Sequence, residues 1–168
     1  MFTKGVTPSE TPYDGSEFRI LILHTRWNLP VVEALVTGAR ETLLSEFNVK
    51  MENISIKDVP GSYELPFAAQ EFIKYSDPKF NAVICIGVLI KGSTMHFEYI
   101  AEATAHGIMR VGLDTRTPCV FGVLTCLTDE QALERAGLGE SPSKHNHGID
   151  WARCAVELAV RGQQGWPS

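Results

Sequence analysis

Apolar residues in this chain fall into short runs that alternate with helical stripes. The run "RILILH", residues 19–24, has the length of a strand. Asn28 and Pro30 then open a stretch to about residue 47. Within it Val32, Leu35, Val36, Ala39 and Leu43 recur at helical spacing. Proline suits a first helical turn, and Asn28 is placed to cap it. The pattern repeats. "ISIKDV", residues 54–59, predicts a second strand, ended by Pro60-Gly61 and followed by a helix over about 65–75. "AVICIGVLI", residues 82–90, predicts a third strand with a helix over 95–111. "CVFGVLT", residues 119–125, predicts a fourth, with a short helix over 129–136. A polar loop, "GLGESPSKHNHG", separates this from a last helix over 151–161. Residues 1–16, with Gly5, Pro8, Pro12 and Gly15 among polar neighbours, predict a flexible arm, and "GQQGWPS" a frayed end. Residues 17–168 then form a single domain.

Strand and helix alternate four times, and the central strands are continuously apolar, as strands covered on both faces must be. The pattern predicts an α/β three-layer sandwich: a four-stranded parallel sheet flanked by helices, in the flavodoxin-like manner. A length of 168 residues suits one core. Hydrophobic residues make up 44% and charged residues 21%, ordinary for a soluble globular protein. The net charge of -5 argues against nucleic acid or an anionic membrane as partner. The apolar run at 82–90 is too short to span a bilayer, and no apolar targeting segment follows Met1. Cys85, Cys119, Cys126 and Cys154 form no Cys-x-x-Cys pair and read as buried, reduced thiols of a cytoplasmic protein.

The unusual residues gather after the strands: "HTRWN", "PGSYE", "KGSTMH" and "TCLTDEQ". In an open parallel sheet the ligand crevice lies at the carboxyl ends of the strands. In "KGSTMH", Gly92 permits a tight turn, and Ser93 and Thr94 stand either at an anion site on a helix N-terminus or in a plain cap. His96 is either a proton shuttle near neutral pH or a surface helix residue. Glu98 fits a first-turn acid. Trp27 can stack on a flat ligand or serve as a core or hinge tryptophan. Ser62 and Glu64 either cap a helix or meet ligand hydroxyls. Arg135, with Glu130 and Glu134, reads alone as a solvated helix face. His145 and His147 stand two apart with Asp150 following. Metal pairs on a helix usually stand four apart and no fourth ligand is evident, so no metal is assigned.

Taken together, "HTRWN", "VPGSYELP", "GVLIKGSTMHFEYI", "FGVLT", "EQALERAG" and "HNHGIDWA" resemble the 6,7-dimethyl-8-ribityllumazine synthase family, in family order over residues 17–162. "KGSTMHFEYI" and "HNHG" resemble its fungal branch. The resemblance implies condensation of 5-amino-6-(D-ribitylamino)uracil with 3,4-dihydroxy-2-butanone 4-phosphate, with loss of phosphate and water and no cofactor or metal. It implies that Trp27 stacks on the pyrimidine and that Asn28 adds a polar contact. Gly61, Ser62 and Glu64 would hold the ribityl hydroxyls, with Tyr63 lining the pocket. Leu89, Ile90 and Lys91 would meet the pyrimidine edge, and Ser93 and Thr94 the phosphate. His96 would transfer protons and Arg135 bind phosphate. Phe121 would come from a neighbouring subunit. His147, where bacterial relatives often carry lysine, joins the substrate contacts. A homopentamer with sites between subunits is implied. Trp27 replaces a common phenylalanine, which suggests riboflavin binding as well. A flavin-binding module would need neither His96 nor Arg135. A generic nucleotide-binding protein would carry a glycine-rich phosphate frame that is absent.

Overall fold

The computed structural model describes residues 7, 9, 11–140, 142 and 144–165. Strands β1 (Ile20–Thr25), β2 (Ile54–Val59), β3 (Ala82–Ile90) and β4 (Cys119–Cys126) form one parallel sheet in the order β2-β1-β3-β4. Between and after them run α1 (Leu29–Phe47), α2 (Leu65–Tyr75), α3 (His96–Thr115), α4 (Asp129–Arg135) and α5 (His147–Gln164). The α/β three-layer arrangement is the one predicted.

The layers follow from strand alternation. Ile20, Ile22, Ile84 and Ile86 join a core with Val32, Leu35 and Leu43 of α1 and Ala155 and Val156 of α5. Leu21, Leu23, Val83 and Cys85 turn to the other face, against Leu65, Ala69 and Ile73 of α2 and Ile108 and Val111 of α3. Covering on both faces is why β1 and most of β3 read as unbroken apolar runs. Strand β2 lies at the edge, and Ile56, Lys57 and Asp58 are exposed there.

Strands β2 and β3 lie on opposite sides of β1. The chain leaves β1 for α1 on one face and leaves β3 for α3 on the other. Loops that diverge from adjacent strand ends open a crevice between them.

Three local expectations change. Asn28 takes the position before α1, but its side chain makes no capping bond. Helix α3 continues to Thr115, four residues past the predicted end. Helix α5 starts at His147, inside the predicted polar loop. Asn146 explains that start: its Oδ1 accepts the Gly148 N–H at 2.8 Å, while its Nδ2 donates to the Ala34 and Ala136 carbonyls at 2.9 and 3.0 Å. One amide thus caps α5 and ties it to α1 and the end of α4. At Gly148 a Cβ would stand 2.1 Å from the Leu35 carbonyl oxygen, so only glycine lets α5 approach α1 this closely.

Much of the expected arm, residues 1–6, 8 and 10, lies outside the described residues, as do 141, 143 and 166–168. Within the rest of that arm, Tyr13 packs against the core and the buried Gly15 donates its N–H to the Phe47 carbonyl at 2.7 Å. Among the described residues no helix is long and apolar enough to cross a membrane.

Candidate active site

The crevice is built from three strand ends. After β1, Arg26 pairs with Asp58 of β2, and the Arg26 N–H donates to the Val59 carbonyl at 3.2 Å. The same ion pair holds the Asp58 carboxyl below its usual range. The loop therefore runs along the sheet edge and presents Trp27, which is 71% exposed. Asn28 has a left-handed backbone (φ 55°), a conformation asparagine tolerates. Its Nδ2 donates to the Val88 carbonyl at 3.3 Å, which fastens the loop to β3 instead of capping α1.

After β2, Gly61 passes beneath the indole. A Cβ there would lie 3.0 Å from Glu64 Oε2 and 3.4 Å from Trp27 Cδ1. The missing side chain lets Trp27 and Glu64 sit over one turn. Ser62 is buried, and its carbonyl accepts from Thr104 Oγ1 at 3.2 Å, which locks the turn onto α3. After β3, Leu89 and Ile90 end half-buried, one against each core. His96 is the first residue of α3, and Thr94 Oγ1 accepts its N–H at 3.4 Å.

These pieces enclose a cavity of about 530 Å³, within the usual size for a small-molecule site. Nine residues singled out from the sequence line it: Trp27, Asn28, Gly61, Ser62, Tyr63, Glu64, Leu89, Ile90 and His96. Val88, Ile100 and Asp129 complete it and were not foreseen. Ile100 lies one turn after His96, so helical spacing could have found it. Asp129 opens α4, and only its place at a strand end hinted at it. The lining offers two aromatic side chains, aliphatic side chains, carboxylates and one imidazole. Such a set suits a flat heterocycle that carries hydroxyls and exchanges a proton.

Six further candidates stand outside that lining. Lys91 pairs through Nζ with Glu98 Oε1, and its ammonium lies 5.9 Å from the Phe97 ring centroid. Ser93 and Thr94 are exposed on the loop before α3. Gly92 has no positive φ and no atom within 4 Å of an added Cβ, so the turn itself does not require glycine. Phe121 is exposed on the edge strand β4. Arg135 ends α4 and donates from Nη1 to the Gln131 carbonyl at 3.1 Å. His147 opens α5; burial chiefly holds its pKa below the usual value against the pull of Asp150, and the Arg135 charge adds to the lowering. Arg135 and His147 thus share one electrostatic neighbourhood, apart from the cavity lining. Among the described residues one group can offer ligand atoms to a metal: His145, His147 and Asp150.

The family model described as 6,7-dimethyl-8-ribityllumazine synthase matches residues 17–162. The chain belongs to this family. A synthase of that name from Schizosaccharomyces pombe is 54% identical over 158 residues, covering 94% of this chain and 95% of the relative. A second, from Pyricularia oryzae, is 45% identical over 195 positions, covering 96% and 95%. The chain is a lumazine synthase, a transferase of riboflavin biosynthesis. The matched span contains every strand and every residue that lines the cavity.

Proposed function

We propose that the cavity between β1 and β3 binds the ribitylaminouracil substrate, with Trp27 stacked on its pyrimidine. The observation that carries this reading is the single cavity joining Trp27, Ser62, Glu64, Leu89, Ile90 and His96. Asn28 steadies the aromatic loop. Gly61, Ser62, Tyr63 and Glu64 line the polar turn, where serine and carboxylate oxygens suit ribityl hydroxyls. Leu89 and Ile90 supply the apolar wall for the ring, and Lys91 stands at its edge.

The second substrate, the butanone phosphate, brings a dianion. Ser93 and Thr94 before α3 offer hydroxyls and helix-terminal N–H groups to it. Arg135 adds a charge-assisted contact, and His147 lies in the same neighbourhood. As the substrate amine attacks the ketone and phosphate leaves, negative charge grows on the phosphate, where these groups stabilise it. His96 accepts and returns the protons of the condensation and ring closure. Holding both substrates side by side removes much of the entropic cost, so this chemistry is assigned no cofactor.

Arg135, His147 and Phe121 lie outside the cavity lining of their own chain, which supports a site completed by a neighbouring subunit. Exposed apolar side chains point the same way: Phe67 of α2 and Tyr99, Met109 and Leu113 of α3 are each at least 63% exposed. The assembly we infer is a homopentamer in the cytoplasm, built from a folded unit at 17–168 behind the arm. Riboflavin, a flat product-like ring system, fits the same stacking place.

Incubation of the purified protein with both substrates tests the assignment. Fluorescent lumazine should appear with stoichiometric phosphate. Weaker ribitylaminouracil binding in Trp27→Ala is expected; unchanged binding in that variant overturns the placement of the ring.

A further inference from the structure

His147 has neighbours that the ring-binding cavity does not use. His145 precedes α5, His147 is its first residue, and Asp150 lies in its first turn. His145 Nε2 is 2.6 Å from Asp150 Oδ2, and His147 Nδ1 is 3.6 Å from the same oxygen. The two imidazoles meet edge to face with centroids 5.1 Å apart. One ligand atom from each of the three residues lies within 4.8 Å of the other two.

Asp150 is 4% exposed, and its Oδ1 is buried with no hydrogen-bond partner. Leaving a buried carboxylate oxygen unpaired is costly. The same carboxylate faces both imidazoles through its other oxygen, Oδ2, on a segment held in place by Asn146. Of the nearby cations, Arg153 is neutralised by a two-point contact with Glu46 at 2.7 and 2.9 Å. Arg135 opposes a further positive charge, and the Asp150 carboxylate offsets it.

We propose that His145, His147 and Asp150 bind a divalent transition-metal ion. Two imidazole nitrogens and one carboxylate favour Zn²⁺, Co²⁺ or Ni²⁺ over the oxygen-seeking Mg²⁺ and Ca²⁺. Three protein ligands leave a position open to water or an anion. The sequence spacing argues against a metal pair on one helix; the site arises because His145 stands before the helix and folds back onto Asp150. The ion is separate from proton transfer at His96.

Co²⁺ serves as the probe, because its visible d–d absorption reports the ligand field. Titration of the full chain should show one saturable Co²⁺ per chain, displaced by Zn²⁺ and not by Mg²⁺. His145→Ala should weaken binding by more than about tenfold, the scale already set by loss of an outer-shell partner, with unchanged circular dichroism. Asp150→Asn should do the same; because Asp150 is buried, His145→Ala is the deciding variant. Cys154 is exposed one turn further along α5 and is the competing ligand. Cys154→Ser should therefore keep the absorption band. Absence of saturable binding, equal binding in His145→Ala, or loss of the band in Cys154→Ser each overturns the site.

Discussion

His96 and Trp27 share one cavity, and their variants should separate the proton-transfer and stacking roles we propose for them. His96→Ala should lower kcat by about 10²–10⁴, the usual worth of a general acid–base group, with a smaller change in KM. Single-turnover measurement of lumazine formation checks this, and an unaltered chemical step removes the proton-transfer role. Trp27→Ala should weaken riboflavin by roughly 2- to 13-fold, the worth of about 0.5–1.5 kcal/mol of ring stacking; fluorescence titration reads it. The thiols divide by environment. Cys85 and Cys126 are buried as expected, but Cys154 is exposed. Burial pushes the Cys119 thiol up to about 12 from 9.0, and its Sγ donates to the Thr117 carbonyl at 3.4 Å. Between those values the folded chain keeps a proton that the unfolded chain has lost. Stability conferred by this group is therefore full below about pH 9 and falls as pH rises, by at most about 1.4 kcal/mol per pH unit. Urea melts between pH 9 and 11 should show a shallower decline in Cys119→Ala.

At the scale of elements, the junction of α1, α4 and α5 is the least obvious feature of the sequence. "GLGESPSKHNHG" reads as loop because polar residues and glycines crowd it. Asn146 and Gly148 instead build a helix start, one by bonding three backbone groups and one by having no side chain. Gly148→Ala should cost about 1–3 kcal/mol through overpacking against Leu35 and Ala39. Asn146→Ala should cost about 1–3 kcal/mol by taking the partner from the Gly148 N–H and the Ala136 carbonyl at two helix ends and removing the tie to α1. Thermal denaturation measures both, and an unchanged midpoint in either variant contradicts the junction. The strands were easier to read. β2 and β3 match their predicted limits, because apolar runs bounded by turn residues leave little freedom. Helix ends were harder: α3 gains four residues beyond Val111, where mixed polarity no longer marks a face.

At the scale of the whole molecule, the cavity of one chain gathers only some of the residues we propose for the site. Trp27, Ser62, Glu64 and His96 lie far apart in sequence, yet meet because β1 sits between β2 and β3. Arg135, His147 and Phe121 belong to β4, α4 and α5 and do not line that cavity. A neighbour that supplies them predicts complementation. His96→Ala and Arg135→Ala chains, each strongly impaired alone, should regain activity when unfolded and refolded together. Roughly a quarter of sites should be intact, the statistical share for two neighbours drawn at random. Absence of any recovery places both residues in one subunit's site. Native mass spectrometry should show five subunits.

From the sequence alone come the alternation of strands and helices, the burial of the central strands, the crowding of functional residues at strand ends and the family. These are local or compositional, written in periodicity and short motifs. Tertiary structure decided which strands are neighbours, and hence that His96 of "KGSTMH" shares a cavity with Trp27 and the "PGSYE" turn. It also decided that Lys91 turns to Glu98, that Asn28 binds β3, and that His145 reaches Asp150 across a helix start. Periodicity records which face of an element is apolar; it does not record which other element covers that face. That pairing depends on contacts between residues distant in the chain, and it exists only once the sheet and its two helical layers have closed around a common core.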